Sequence, residues 1–254
     1  GNFAHDTGEG AISPYHRKHG GELFWELGSG YFGCRTEDGY FDPVKFKEQA
    51  ASEQVKMIEI KLSQGAKPGH GGVLPKDKIT DEIAATRGIP KDRDCISPSN
   101  HSAFSTPIEL LEFIQQLREL SGGKPVGFKL CVGHPWEFMA IAKAMLLTNI
   151  LPDFIVVDGK EGGTGSAPIE FADHIGTPLQ EGLLFVHNIL VGLGIASALI
   201  QLVMNWAQRM VDPSQAAIIY AGEPVWAALF GRLAGERLPS LALLGGLMVV
   251  LGVI

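Results

Sequence analysis

From Gly1 to about Asn188, short apolar runs alternate with stretches whose apolar residues recur at helical spacing. Met57 to Ile60 reads as a short strand running into a Gly- and Pro-rich loop, Gln64 to Pro75. Pro107 to Leu120 places Ile108, Leu111, Phe113, Ile114 and Leu117 on one helical face, and Ser121-Gly122-Gly123 stops it. A strand follows at Val126 to Val132, a helix at Trp136 to Leu147 and a strand at Phe154 to Val157, uniformly apolar as a strand buried on both faces should be. That order is the order of a parallel α/β fold, and periodicity leaves barrel and open sheet equally open.

The pattern changes after Leu183. Leu183 to Met204, Ala216 to Leu233 and Leu238 to Ile254 are three long apolar runs near the ~20 residues that cross a bilayer. Gly192, Gly194, Ala227, Ala228, Gly231, Gly245 and Gly246 inside them suit close helix contact in lipid. The runs read as membrane helices, with buried core helices as the alternative. Charge follows the same division. Lysine stops at Lys160, and from Ala196 onward Arg209, Arg232 and Arg237 cancel Asp212, Glu223 and Glu236, so the net charge of -7 belongs to the first three quarters of the 254 residues.

An acidic balance without any basic run excludes a nucleic-acid-binding surface. Cys34, Cys95 and Cys131 lie far apart with no CxxC pattern, and the histidines show no HExxH spacing, so neither a structural disulfide nor a metal site is expected. The first residues lack a basic n-region and an apolar h-region, so no signal peptide is read there.

Four segments carry candidate chemistry. Lys61, Gln64 and Lys67, on a loop leaving a strand, can hold a dicarboxylate by charge and hydrogen bonding; loop lysines are also often only solvated. Glu161-Gly162-Gly163-Thr164-Gly165 follows a strand directly, so its backbone N–H groups and the Thr164 hydroxyl can approach a phosphate, or the glycines can simply make a tight turn. It is not GxGxxG, so a Rossmann dinucleotide site is not indicated. Glu9, flanked by Gly8 and Gly10, can position a substrate amine or cap a helix. Lys129 sits inside an apolar strand, where an unpaired ammonium costs several kcal/mol, so it needs a partner.

Taken in order and spacing, "HDTGEGAISPYH", "EIKLSQGAKPGHGGVLP", "GFKL" and "VVDGKEGGTGSAP" resemble the FMN-binding domain of glutamate synthase over about three quarters of the chain. The resemblance implies part of a (β/α)8 TIM barrel over residues 1-190. It implies that reduced FMN passes a hydride to 2-iminoglutarate, made from 2-oxoglutarate, to give L-glutamate. By position, Gly162, Gly163, Thr164 and Gly165 match the flavin-contacting loop and Lys129 the lysine near the flavin ring. Lys61, Gln64 and Lys67 match the 2-oxoglutarate pocket, and Glu9, with Lys61, the catalytic positions beside the substrate.

The same resemblance implies departures. The match begins after the family's first barrel strand and stops before the last few, leaving a second phosphate loop unmatched. None of Cys34, Cys95 and Cys131 matches the family's iron–sulfur ligands, and Gly1 is not the glutaminase nucleophile. An incomplete domain, impaired in flavin affinity and supplied with ammonia and electrons from elsewhere, is the expectation.

The segment from Asn205 to Ile254 resembles the last helices of the EamA drug/metabolite transporter family, with Glu223 before Pro224 as its functional-site candidate. The resulting expectation is two parts joined near Gly194 to Ser197. A cytoplasmic α/β part occupies 1-190, and a membrane-associated helical part occupies 191-254. A transporter-like fragment and a non-catalytic chimera are the alternatives to the flavin enzyme.

Overall fold

A computed structural model of the chain describes residues 3–163 and 166–194. The stretches from Ala216 and from Leu238, Glu223, Thr164 and Gly165 lie outside the described residues. Seven strands and six α-helices follow in the order β1 (His5–Asp6), α1 (Pro14–Arg17), β2 (Leu23–Leu27), α2 (Pro43–Ala50), β3 (Val55–Lys61), β4 (Gly72–Leu74), α3 (Asp81–Arg87), β5 (Cys95–Ser97), α4 (Pro107–Leu120), β6 (Val126–Leu130), α5 (Pro135–Thr148), β7 (Ile155–Val157) and α6 (Leu179–Gly192).

Five of the strands form one parallel sheet in the order β1-β2-β3-β6-β7. Its strand order never reverses, as it does in doubly wound sheets, and the sheet curls into a half-barrel. That decides between the two architectures periodicity left open. The remaining pair, β4 and β5, is antiparallel, with α3 between its strands in the chain, and falls between β3 and α4. Of these, β4 lies in the segment read as loop from Gln64 to Pro75, where Gly and Pro hid a short strand.

Strand alternation sorts side chains to two faces. Trp25, Leu27, Ile58, Ile60, Val126 and Phe128 are fully buried, and Trp25 stacks on Phe46 of α2 with centroids 5.2 Å apart. The residues of opposite parity, Phe24, Glu26, Glu59, Lys61 and Lys129, share the concave face.

The helices follow from their ends. α4 starts at a capping box in which Thr106 Oγ1 accepts from Glu109 N and the Glu109 carboxylate accepts from Thr106 N, with Pro107 in the first turn. It buries Leu110, Leu111, Phe113, Ile114 and Leu117, and Gly122 and Gly123 end it at φ +74° and +88°. A satellite core of Ala11, Phe32, Ile79, Ile89 and Cys95 lies under the β4–β5 pair and α3.

Two readings at the C-terminal side change. β7 is half-buried along its length, because it is the edge of the described sheet rather than an interior strand. The apolar run read from Leu183 begins inside α6, which starts at Leu179 and spans 14 residues with Gly182 and Val186 buried. Among the described residues no helix is long and apolar enough to cross a membrane.

Candidate active site at the C-terminal ends of the strands

Loops after β1, β3 and β7 meet at the strands' C-terminal ends, where (β/α) barrels build their sites. The loop after β3 is docked on the loop after β7 by Gly65, whose N–H donates to Asp158 Oδ2 at 2.9 Å. A Cβ on Gly65 would fall 1.6 Å from the Gly159 carbonyl oxygen. Gly65→Ala is therefore expected to lower stability by about 1–3 kcal/mol and to push the loop from its seat. A thermal melt no different from wild type would count against this docking.

Lys61 is the last residue of β3, not a loop residue as its sequence position implied. Its ammonium donates to Glu9 Oε2 at 2.9 Å and to Gln64 Oε1 at 3.1 Å. Lys67, only 7% exposed, donates to Ser166 Oγ at 3.1 Å and lines the same cavity with Ser63, His70 and Ser99. Glu9, Lys61, Gln64 and Lys67, four positions singled out in the sequence, thus come together. The space between them is about 30 Å³, room for a water or two.

Lys129 faces a second group on the concave side. Its ammonium hydrogen-bonds Glu26 Oε2 and stands 3.6 Å from Glu59 Oε1, while carboxylate oxygens of Asp6, Glu26 and Glu59 lie within 4.8 Å of one another. Lys129 is the ammonium these acids share. Glu26 and Glu59 are 3% and 2% exposed, and Glu59 Oε1 has no hydrogen-bond partner.

These contacts move the protons. Burial pushes the Glu59 carboxyl up to about 7 against the pull of Lys129's charge, and the Asp6 and Glu26 carboxylates push it the same way. Burial pulls the Lys129 ammonium down, but the charge and hydrogen bond of Glu26, with Glu59 and Asp6 behind it, leave it raised above its ordinary value.

A pH dependence follows for Glu59. Between the ordinary carboxyl value and about 7 the folded chain holds a proton that the unfolded chain has lost, so Glu59 costs stability as pH rises through that window. Glu59→Gln removes the cost. The variant should match wild type near pH 5 and exceed it near pH 8 by about 1–3 kcal/mol in urea denaturation; an unchanged difference between the two pH values contradicts the assignment.

The glycine loop is tied down differently. Gly162 N–H donates to Asp173 Oδ1 at 2.7 Å, and both Glu161 carboxylate oxygens accept from Leu179 N, capping α6. A phosphate at the Gly162 amide therefore requires Asp173 to leave, since both are anions. Gly163 follows with Ala172 close by.

Sequence reading did not single out Glu26, Glu59, His101 or Tyr31. The available signal was parity: Glu26 and Glu59 are lone acids inside apolar strands, like Lys129, and so are its natural partners. His101, 8% exposed, contacts the Lys61 carbonyl through Nε2 at 2.8 Å and Tyr31 Oη through Nδ1 at 3.1 Å. Burial holds its imidazole down to about 4, so it is neutral at pH 7. Cys34, Cys95 and Cys131 are free and buried.

A parallel half-barrel with paired cations and acids at its strand ends fits part of a (β/α) barrel. Comparison with known proteins gives the family. The model of the conserved region in glutamate synthase matches residues 2–206, and the chain belongs to the glutamate synthase family. The glutamate synthase large subunit-like protein YerD of Bacillus subtilis is 38% identical over 216 residues, covering 85% of this chain and 40% of that protein. The archaeal glutamate synthase [NADPH] of Methanocaldococcus jannaschii is 32% identical over 236 residues, covering 91% and 43%. The chloroplastic ferredoxin-dependent glutamate synthase of Spinacia oleracea is 34% identical over 166 residues, covering 65% and 10%. The chain thus spans about two fifths of the length of the first two relatives. A second family model, the EamA-like transporter family, matches residues 171–254 and overlaps the first.

Proposed function

We propose that this chain carries the 2-oxoglutarate side of a glutamate synthase-type FMN oxidoreductase, which aminates 2-oxoglutarate reductively to L-glutamate through 2-iminoglutarate. The observation that carries this reading is the Lys61 ammonium held between Glu9 and Gln64 with buried Lys67 beside it. Two cations and an amide suit the two carboxylates of a short diacid.

The roles follow from the geometry. A carboxylate arriving at Lys61 competes with Glu9 for the ammonium, so entry of a five-carbon diacid into a 30 Å³ cavity separates that pair. Glu9, released, is a carboxylate beside the substrate that pairs with the protonated iminium nitrogen and orients it. Lys67 holds the other carboxylate, and Gln64 supplies the neutral hydrogen bond.

The concave face suits a flavin at its ring end: it offers a half-buried cation, Lys129, and a carboxylate oxygen, Glu59 Oε1, without a hydrogen-bond partner. Lys129 would hold the ring and the loop from Gly162 through Gly163, Thr164 and Gly165 the phosphate, once Asp173 yields the Gly162 amide. Bound FMN supplies the hydride; the protein supplies position and charge.

Incubation of the intact chain with reduced FMN, ammonium and 2-oxoglutarate tests this: L-glutamate should form, less of it in Glu9→Gln. A chain that takes up no flavin and forms no glutamate contradicts the reading. The EamA-like match favours a second reading for the C-terminal segment alone, as a membrane attachment of an otherwise cytoplasmic chain. Recovery of the whole chain in a high-salt soluble fraction without detergent rules that out.

A further inference from the structure

We propose that His101 is a positioning residue for Lys61: as the Nε2–H tautomer it donates to the Lys61 carbonyl and thereby fixes where the Lys61 ammonium points. In its effect on ligand the proposal rests on Lys61 being the diacid's anchor; as a statement about Lys61 it does not.

The backbone explains why such a donor is needed. Ile58 N and Leu62 N donate to Pro125 O and Lys129 O on the β6 side, so alternation turns the Lys61 backbone toward β2. β2 ends at Leu27, opposite Ile60. The Lys61 carbonyl therefore looks past the end of its neighbour, with no ladder donor opposite it. His101 Nε2, 2.8 Å away, takes that place.

The tautomer follows from donor and acceptor arithmetic. Ala103 N–H donates to Tyr31 Oη at 3.1 Å, so the Tyr31 hydroxyl proton is free to go elsewhere. The Lys61 carbonyl can only accept, so His101 Nε2 carries the proton. Nδ1 is then bare, and it accepts from Tyr31 Oη at 3.1 Å. A single chain of donors results, from Ala103 through Tyr31 and His101 to Lys61.

The ring has little freedom to turn away. Phe104 stacks on it at 4.8 Å and 18°, and Tyr31 meets it edge-on at 5.4 Å and 67°. Tyr31 itself is fully buried with φ +47°, a left-handed conformation that a bulky residue adopts only when its surroundings require it. Losing the imidazole leaves the Lys61 carbonyl without this donor and the Tyr31 hydroxyl proton without this acceptor, and the last residue of β3 is then free to rotate its ammonium off Glu9 and Gln64.

The test uses the intact chain and acetic anhydride, with Lys61 acetylation read by mass spectrometry against Lys124, which bonds the Ala50 and Ser52 carbonyls at a distance from the site. His101→Phe keeps an aromatic ring and removes the donor. Lys61 should acetylate roughly fivefold faster relative to Lys124, and His101→Gln, which restores an N–H, should return it toward wild type. A folded His101→Phe chain whose Lys61 reacts as in wild type overturns the proposal, as does equal acceleration at Lys124. Nitrogen NMR of the wild-type imidazole at pH 7 decides independently of any variant: a protonated Nε2 with bare Nδ1 supports the role, and an Nδ1–H tautomer or imidazolium refutes it. Calorimetric titration with 2-oxoglutarate should show about tenfold weaker binding in His101→Phe. A wild-type chain that binds no 2-oxoglutarate sinks the proposed function, while the labelling result still decides the role of His101.

Discussion

Lys129→Met destabilises the barrel region by about 3–5 kcal/mol near pH 8 and by much less near pH 5. Methionine keeps most of the side chain's volume, so the loss is electrostatic. Lys129 is the ammonium that pairs with both Glu26 and Glu59, which are 3% and 2% exposed, and its removal leaves their charges buried without compensation. The acids then take up protons in the folded chain that the unfolded chain does not bind, so stability falls as pH rises and is recovered on acidification. Urea denaturation at the two pH values measures this. A penalty that is small, or the same at both, would mean that Lys129 is not their counter-ion.

Lys61→Met has the opposite profile. The Lys61–Glu9 pair is partly exposed, with Glu9 at 35%, so its loss should cost the fold no more than about 1 kcal/mol. Affinity for 2-oxoglutarate should instead fall at least about 100-fold, because a carboxylate loses its charged donor. Lys61→Arg should recover part of it, since charge is kept but the fit between Glu9 and Gln64 is altered. Binding by Lys61→Met equal to wild type would remove Lys61 from the site.

The contrast between these two lysines shows what sequence could and could not supply. That Lys129 needed a partner was legible from one lysine in an apolar strand. Which partner was not, because Glu26 and Glu59 come from two other strands and meet it only through the register of the sheet. Lys61, Gln64 and Lys67 were legible as a group because one strand end and the loop that leaves it carry them, and Glu9 joined them only through the family resemblance. Helix α4 was readable end to end, from a proline in its first turn to the two glycines after Ser121.

Other features depended on distant residues. The Gly162 amide is occupied by Asp173, and no property of a glycine run announces that. His101 sits 40 residues from the carbonyl it holds. Of the apolar run from Leu183, residues 183 to 192 belong to α6, whose start is capped by Glu161 at Leu179 N, and residues 195 to 204 lie outside the described residues.

The most direct measurement is calorimetric titration of the intact wild-type chain with 2-oxoglutarate and, separately, with 2-oxobutyrate, which lacks the second carboxylate. Two cations beside one cavity predict that the diacid binds at least about tenfold more tightly than the monoacid. Equal affinities, or no binding of 2-oxoglutarate at all, would contradict the assignment of Lys61, Gln64 and Lys67 as a dicarboxylate site.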